Sequence, residues 1–218
     1  MKKVLLTIIL SMFAFAQANA VTFSIGAAGN QSVFYASANE KNHDESGTLR
    51  TTANGDGAFD PSYASVFIEI GNETASLGAS YSDNFKTPKA INEFNTAGTD
   101  NTTEVEAHFE NLITYYGKVN IPLGGLYAKV GYQTVDIETV ETTKSGVAYP
   151  DTSTDGFIAG FGYEHQAGNG FGIRIEIVGH EFDNVKVDNG QGTGGNLNII
   201  EVTEMYGATA SLAVVKSF

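Results

Sequence analysis

The chain of 218 residues has no cysteine. No disulfide can hold it together, so its stability must come from a packed core or a closed sheet. Basic residues are scarce: 12 lysines and arginines stand against 25 acidic residues, for a formal net charge of −13. That balance argues against nucleic acid as a partner and against adhesion to anionic lipid by bulk charge. Beyond the N-terminus no stretch approaches the ~20 apolar residues of a membrane-spanning helix, and helical periodicity is nearly absent. Catalytic signatures are missing too. There is no nucleophile elbow, no HExxH and no phosphate loop, since "GQGTGG" (190–195) lacks the strand–turn–helix setting such a loop needs. No catalytic residue, metal site or cofactor is assigned.

What is present starts with "MKKVLLTIILSMFAFAQANA". Lys2 and Lys3 form a basic head, Val4 to Ala16 a short apolar run, and Ala18-Asn19-Ala20 a small-x-small cleavage site. Residues 1–20 read as a cleaved secretory signal peptide, and residues 21–218 as one domain. Without the two leader lysines the formal charge becomes 10 − 25 = −15.

Period two dominates the rest. "FGIRIEIV" sets Phe171, Ile173, Ile175 and Ile177 on one face and Gly172, Arg174 and Glu176 on the other. Similar strands are read at "SVFIEIG" (65–71), "ASLGASYS" (75–82), "LYAKVGYQ" (126–133) and "GFIAGFGYE" (156–164). Val105 to Ile121 reads as one strand, with Val105, Ala107, Phe109, Ile113 and Tyr115 opposite Glu106, His108, Glu110, Thr114 and Lys118, and with Asn111 breaking the apolar face. The first strand carries Phe23, Ile25 and Ala27, and its phase slips near Gly29-Asn30 as at a bulge. The last carries Tyr206, Ala208, Ala210, Leu212, Val214 and Phe218, with Lys216 as the exception. These make eight strands. Tight turns at 71–74, 122–125 and 166–170 alternate with long polar stretches near 40–60, 83–103, 139–155 and 183–198.

One face of these strands is nearly free of charge, which suits lipid. The other is mostly small, which suits the interior of a narrow closed barrel. Short turns alternating with long polar loops are the asymmetry of an outer-membrane barrel. Val105 to Tyr115, tilted by ~40°, spans roughly 25 Å, the height of the lipid-facing band. Phe109, Tyr132, Phe157 and Tyr206 toward the loops, and Tyr115, Tyr163, Phe171 and Phe218 toward the turns, would form two aromatic girdles. The expected fold is therefore all-β: an eight-stranded antiparallel up-and-down transmembrane barrel, its last strand closing on its first.

The "ANA" cleavage site, the "YGKVNIPLGGLYAKVGY" hairpin (116–132) and the terminal "SF" together resemble the small eight-stranded outer-membrane barrels of the OmpA/OmpX type. That resemblance implies a Gram-negative outer membrane, lipid and lipopolysaccharide as surroundings, and Phe218 as the signal read by the barrel-assembly machinery. That family usually has an apolar residue where Lys216 stands here. No peptidoglycan-binding domain is expected after Phe218. The expected state is a monomer, and an external ligand is left open.

The candidate site is a lumen cluster. Lys118 and Lys129 flank the "PLGG" turn at equal distances, so a tight hairpin sets them opposite one another, where like charges repel. Glu69, Glu164 and Glu176 are the acidic partners within reach, with Arg174 as a third cation. Unpaired, each would cost several kcal/mol, so an ion-paired plug is expected, whose removal opens the lumen. Among His43, His108, His165 and His180, His108 stands out: between Glu106 and Glu110 on an expected lumen face, it reads first as a structural histidine in a polar interior, and otherwise as a base or weak metal ligand. The loop acids Asp44, Glu45, Asp56, Asp60, Glu93, Asp100, Glu141, Asp151, Asp155, Asp183 and Asp188 read as solvated surface, or as cation bridges to lipopolysaccharide phosphate. The leading role is structural or surface-interacting. The alternatives are a narrow diffusion channel and a barrel enzyme.

Overall fold

The computed structural model describes residues 21–87, 90–96, 99–142, 149–190 and 197–218, with backbone alone over 90–96, 99–105 and 141–142. The expected leader and its cleavage site, and residues 191–195 of the glycine-rich stretch, lie outside the described residues.

The alternating sequence forms twelve strands: β1 (Thr22–His43), β2 (Leu49–Phe59), β3 (Ser62–Gly71), β4 (Ala75–Ser82), β5 (Phe85–Lys86), β6 (Ala90–Thr96), β7 (Thr99–Asn120), β8 (Leu126–Thr142), β9 (Thr152–Gln166), β10 (Phe171–Phe182), β11 (Val185–Asp188) and β12 (Asn198–Ser217). Eight of them, β1, β3, β4, β7, β8, β9, β10 and β12, pair in that order as an antiparallel ring. Pairing of β12 with β1, from Ser24↔Ser217 to Asn42↔Asn198, closes it. The barrel therefore has no free edge in its wall, the condition for crossing a bilayer with strands.

Short turns lie at one end, and the strands run on past the wall at the other. β2 pairs with the upper half of β1, β5 and β6 pair with β7, and β11 pairs with β12. Much of what reads as loop in the sequence is thus paired strand. Polar residues such as "LRTTANGDGAF" carry no apolar alternation, yet their backbones complete ladders begun lower down. Asp60-Pro61 interrupts β2 from β3, as a residue without a backbone N–H must.

Outward faces carry Phe23, Ile25, Val66, Ile68, Ile70, Phe161, Ile173, Ile175, Leu212 and Val214, all exposed. They make an apolar band around the outside of the wall. Two expectations about phase change here. Pairing of β1 runs without a break across Gly29 and Asn30, and its register shift lies between Ser37 and Ala38. Gln31 points out and Phe34 points in, a reversal of polarity without a bulge. On β7 the shift lies between Glu110 and Ile113, where Asn111 has φ 53°, a left-handed conformation that Asn tolerates better than most residues. Below it Thr114, Tyr116 and Lys118 face the lumen, whereas above it Phe109 does. Phe109 therefore belongs to the interior and not to a girdle. Glu106, His108 and Glu110 lie on the outside of the wall.

Candidate functional site

The lumen is filled in two layers. The layer near the short turns is ionic. Hairpin pairing of β7 with β8 sets Lys118 directly against Lys129. Their ammonium groups separate to different carboxylates: Lys118 donates to Glu69 at 3.0 Å and to Glu164 at 3.2 Å, and Lys129 donates to Glu176 at 3.1 and 3.3 Å. Arg174 sits between. Its Nη1 and Nη2 fork onto the two oxygens of Glu69 at 2.7 Å each, while Nε and Nη2 reach Glu164 at 2.9 and 2.7 Å. Three cations thus meet three carboxylates, and the formal charge of the six side chains is zero. Forked contacts of this kind are the strong form of the charge-assisted hydrogen bond.

Aromatic side chains line the same layer, and sequence reasoning missed them. Tyr116 donates to Glu69 at 2.8 Å and Tyr127 to Glu176 at 2.6 Å. Lys129 lies 3.9 Å from the Tyr116 ring centre, and the Arg174 guanidinium 4.6 Å from that of Phe67, distances at which a cation is attracted to a ring face. Inward glycines make the room: a methyl group at Gly78 would meet the Tyr116 ring, and one at Gly162 the Tyr127 hydroxyl. The signal was available, since Gly78 and Gly162 lie directly across from Tyr116 and Tyr127 on neighbouring strands. Arg174 and Tyr127, at the centre of the layer, are each only 1 % exposed.

The layer toward the long strands is apolar and built of large side chains, against the expectation of a mostly small inner face. Phe34, Phe59, Phe85, Phe109, Leu112, Val135, Ile137, Phe182, Val185 and Met205 form one buried cluster drawn from five strands of the ring and from β2, β5 and β11. Phe85 stacks on Phe34 and on Phe109, with ring centres 5.7 and 5.0 Å apart. Between the layers lies a polar gap of about 60 Å³, bordered by Asn30, Ser65, Ser80, Thr114 and Ser211. His180 stands at its edge, bonded through Nδ1 to Gln133 at 2.9 Å and through Nε2 to Thr209 at 2.8 Å. It is a structural link between the layers.

The remaining predicted residues lie apart from this cluster. Phe218 is at the turn-end rim, 69 % exposed, with its amide donating to Phe23 at 2.9 Å and its ring 6.3 Å from that of Phe23. Lys216 bends to the rim, where its ammonium donates to the Asn169 carbonyl at 2.7 Å and lies 4.6 Å from the Phe171 ring centre; its stem can thus border lipid while its charge stays at the surface. His43 is half-buried at the loop end and His165 is exposed. His108 lies outside the barrel, 3.5 Å from Glu106 and 3.5 Å from Glu138. Asp44 caps the β1–β2 turn, accepting from Ser46 and Thr48, and these donors hold its carboxyl below the ordinary carboxylate range. The side chains of Glu93, Asp100 and Glu141 lie outside the described residues.

No family model and no curated protein matches the chain. Solved structures do. The outer-membrane protein OprG from Pseudomonas aeruginosa superposes with a TM-score of 0.53 at 10 % identity, over 90 % of this chain and 96 % of that one. The outer-membrane protease OmpT from Escherichia coli gives 0.47 at 9 % identity, over 93 % and 100 % of the two chains. AlkL in lipid bilayers gives 0.46 at 15 %, over 93 % and 92 %. The first shares the fold, and the other two superpose too loosely to carry a conclusion. The chain has the architecture of an outer-membrane β-barrel.

Proposed function

We propose that this barrel is an integral outer-membrane protein of a Gram-negative bacterium, with a structural or surface-interaction role and a lumen that does not conduct. The observation that supports this most is the filling of the interior by two unlike layers, one neutral and fully ion-paired, one aromatic. A diffusion channel would need a path through both. Its surroundings are outer-membrane lipid and lipopolysaccharide, its folding partner the barrel-assembly machinery that reads Phe218, and its working state a monomer exported by a cleaved leader. The polar strand extensions, rich in Asp and Asn, are the part that meets the exterior.

The test combines location with conduction. The protein fractionates with outer membranes and migrates differently on gels before and after boiling, because a closed barrel resists detergent. Refolded into planar bilayers, it gives no conductance steps. Regular steps of uniform size would replace this reading by the channel, and recovery as a soluble periplasmic monomer would end it.

A further inference from the structure

On the outside of the wall, four to seven residues along the strands from the Tyr115–Tyr132 pair toward the long-strand end, β7 and β8 set His108 opposite Glu138 and Glu110 opposite Asp136. We propose that His108, Glu110 and Glu138 bind a divalent transition cation of the zinc class at the upper edge of the lipid band. One donor atom from each of the three lies within 4.8 Å of the other two. His108 Nδ1 is 3.5 Å from Glu138 Oε2. That is long for a hydrogen bond, whose N···O distance is about 2.7–3.2 Å. It is close to the edge of a zinc tetrahedron, where ligands about 2.1 Å from the ion stand about 3.4 Å apart.

The imidazole carries the argument further than the acids could. Its Nε2 is shielded from solvent and makes no hydrogen bond. With Nδ1 on a cation, Nε2 keeps its proton and faces Glu106, whose Oε1 is 3.5 Å away; a carboxylate behind a ligating histidine is the usual orienting partner. Lys86, 3.4 Å from Glu106, offsets that charge. Asn84 donates to Glu110 at 3.0 Å, which holds that carboxylate from the side, and Asn111 donates to the neighbouring Asp136 at 3.1 Å. The bulge at Asn111 is what moves His108 out of the lumen and into this group. One imidazole with two carboxylates suits zinc better than calcium or magnesium, which take oxygen alone. Three protein ligands leave a coordination position open to water or to an anionic oxygen from the surroundings.

The experiment is a zinc titration of the tag-free, refolded protein in detergent near neutral pH, followed by calorimetry. One zinc binds per chain. His108→Ala, Glu110→Gln and Glu138→Gln each weaken binding by about tenfold or more, while His165→Ala leaves it unchanged. Each variant is first shown to keep its heat-modifiable migration, which the charged and aromatic layers maintain independently of this site. Zinc also raises the unfolding temperature of the native protein but not of His108→Ala. Absence of saturable binding to the native protein overturns the proposal, and so does equal affinity in His108→Ala.

Discussion

The two halves of the lumen solve the same filling problem by opposite means. Near the short turns, each charged group satisfies particular partners, and Arg174 and Lys118 each serve both Glu69 and Glu164. Near the long strands, rings and aliphatic chains fill space without directional demands. The ionic half is specific and intolerant: removing one partner leaves another charge buried and uncompensated. The aromatic half is forgiving, because neighbouring rings can settle into a lost volume.

Arg174 gives the largest break in the comparison. Arg174→Ala leaves Glu69 and Glu164 to share Lys118, so one buried negative charge goes uncompensated, and it lowers stability by about 3–5 kcal/mol, read as an earlier guanidinium midpoint for loss of strand structure. Arg174→Lys recovers little of this, since one ammonium cannot replace the forked contacts to Glu69. If Arg174→Lys matches the native protein, the ionic layer is not specific in the sense described. Phe34→Ala, in the other layer, costs about 3 kcal/mol on the same scale, and Phe34→Leu clearly less, because it keeps most of the volume. A Phe34→Leu loss as large as that of Phe34→Ala would show that the rings are as exacting as the charges. The smallest effect belongs outside both layers. Lys41 and Glu201 pair at 2.8 Å on the strand extensions, and Lys41→Ala leaves the midpoint nearly unchanged, since surface ion pairs are screened by water.

The ionic layer was legible because charge on an otherwise apolar or small alternation has few explanations, and because a tight turn fixes which lysines face each other. Turn spacing set Lys118 against Lys129, and alternation put Arg174 and the three glutamates on the same face as candidate partners. The aromatic layer was not legible, for two physical reasons. Phe34 follows an outward Gln31 and Val33, so polarity does not mark which face it takes. Phe109 shares parity with Ile113 and Tyr115 in the sequence, but the Asn111 bulge reverses the face of everything beyond it. One inserted residue thus sent Phe109 inward and His108 outward, and no periodicity measured across that point could show it. The strand extensions were hidden for a third reason: a paired backbone needs no apolar side chains where water covers both faces.

The central claim is that two layers in series close the lumen. Sequence alone implied that removing the lysines would open it, and the aromatic layer changes that expectation. Conductance in planar bilayers tests this with three proteins that each retain heat-modifiable migration. Lys118→Ala with Lys129→Ala removes the ionic contacts, Phe34→Ala with Phe85→Ala removes part of the aromatic stack, and the fourfold variant removes both. The account predicts that each double variant stays silent and that the fourfold variant conducts. Steps from the lysine double variant equal in size to those of the fourfold variant would contradict it, leaving the aromatic layer as packing and not a seal.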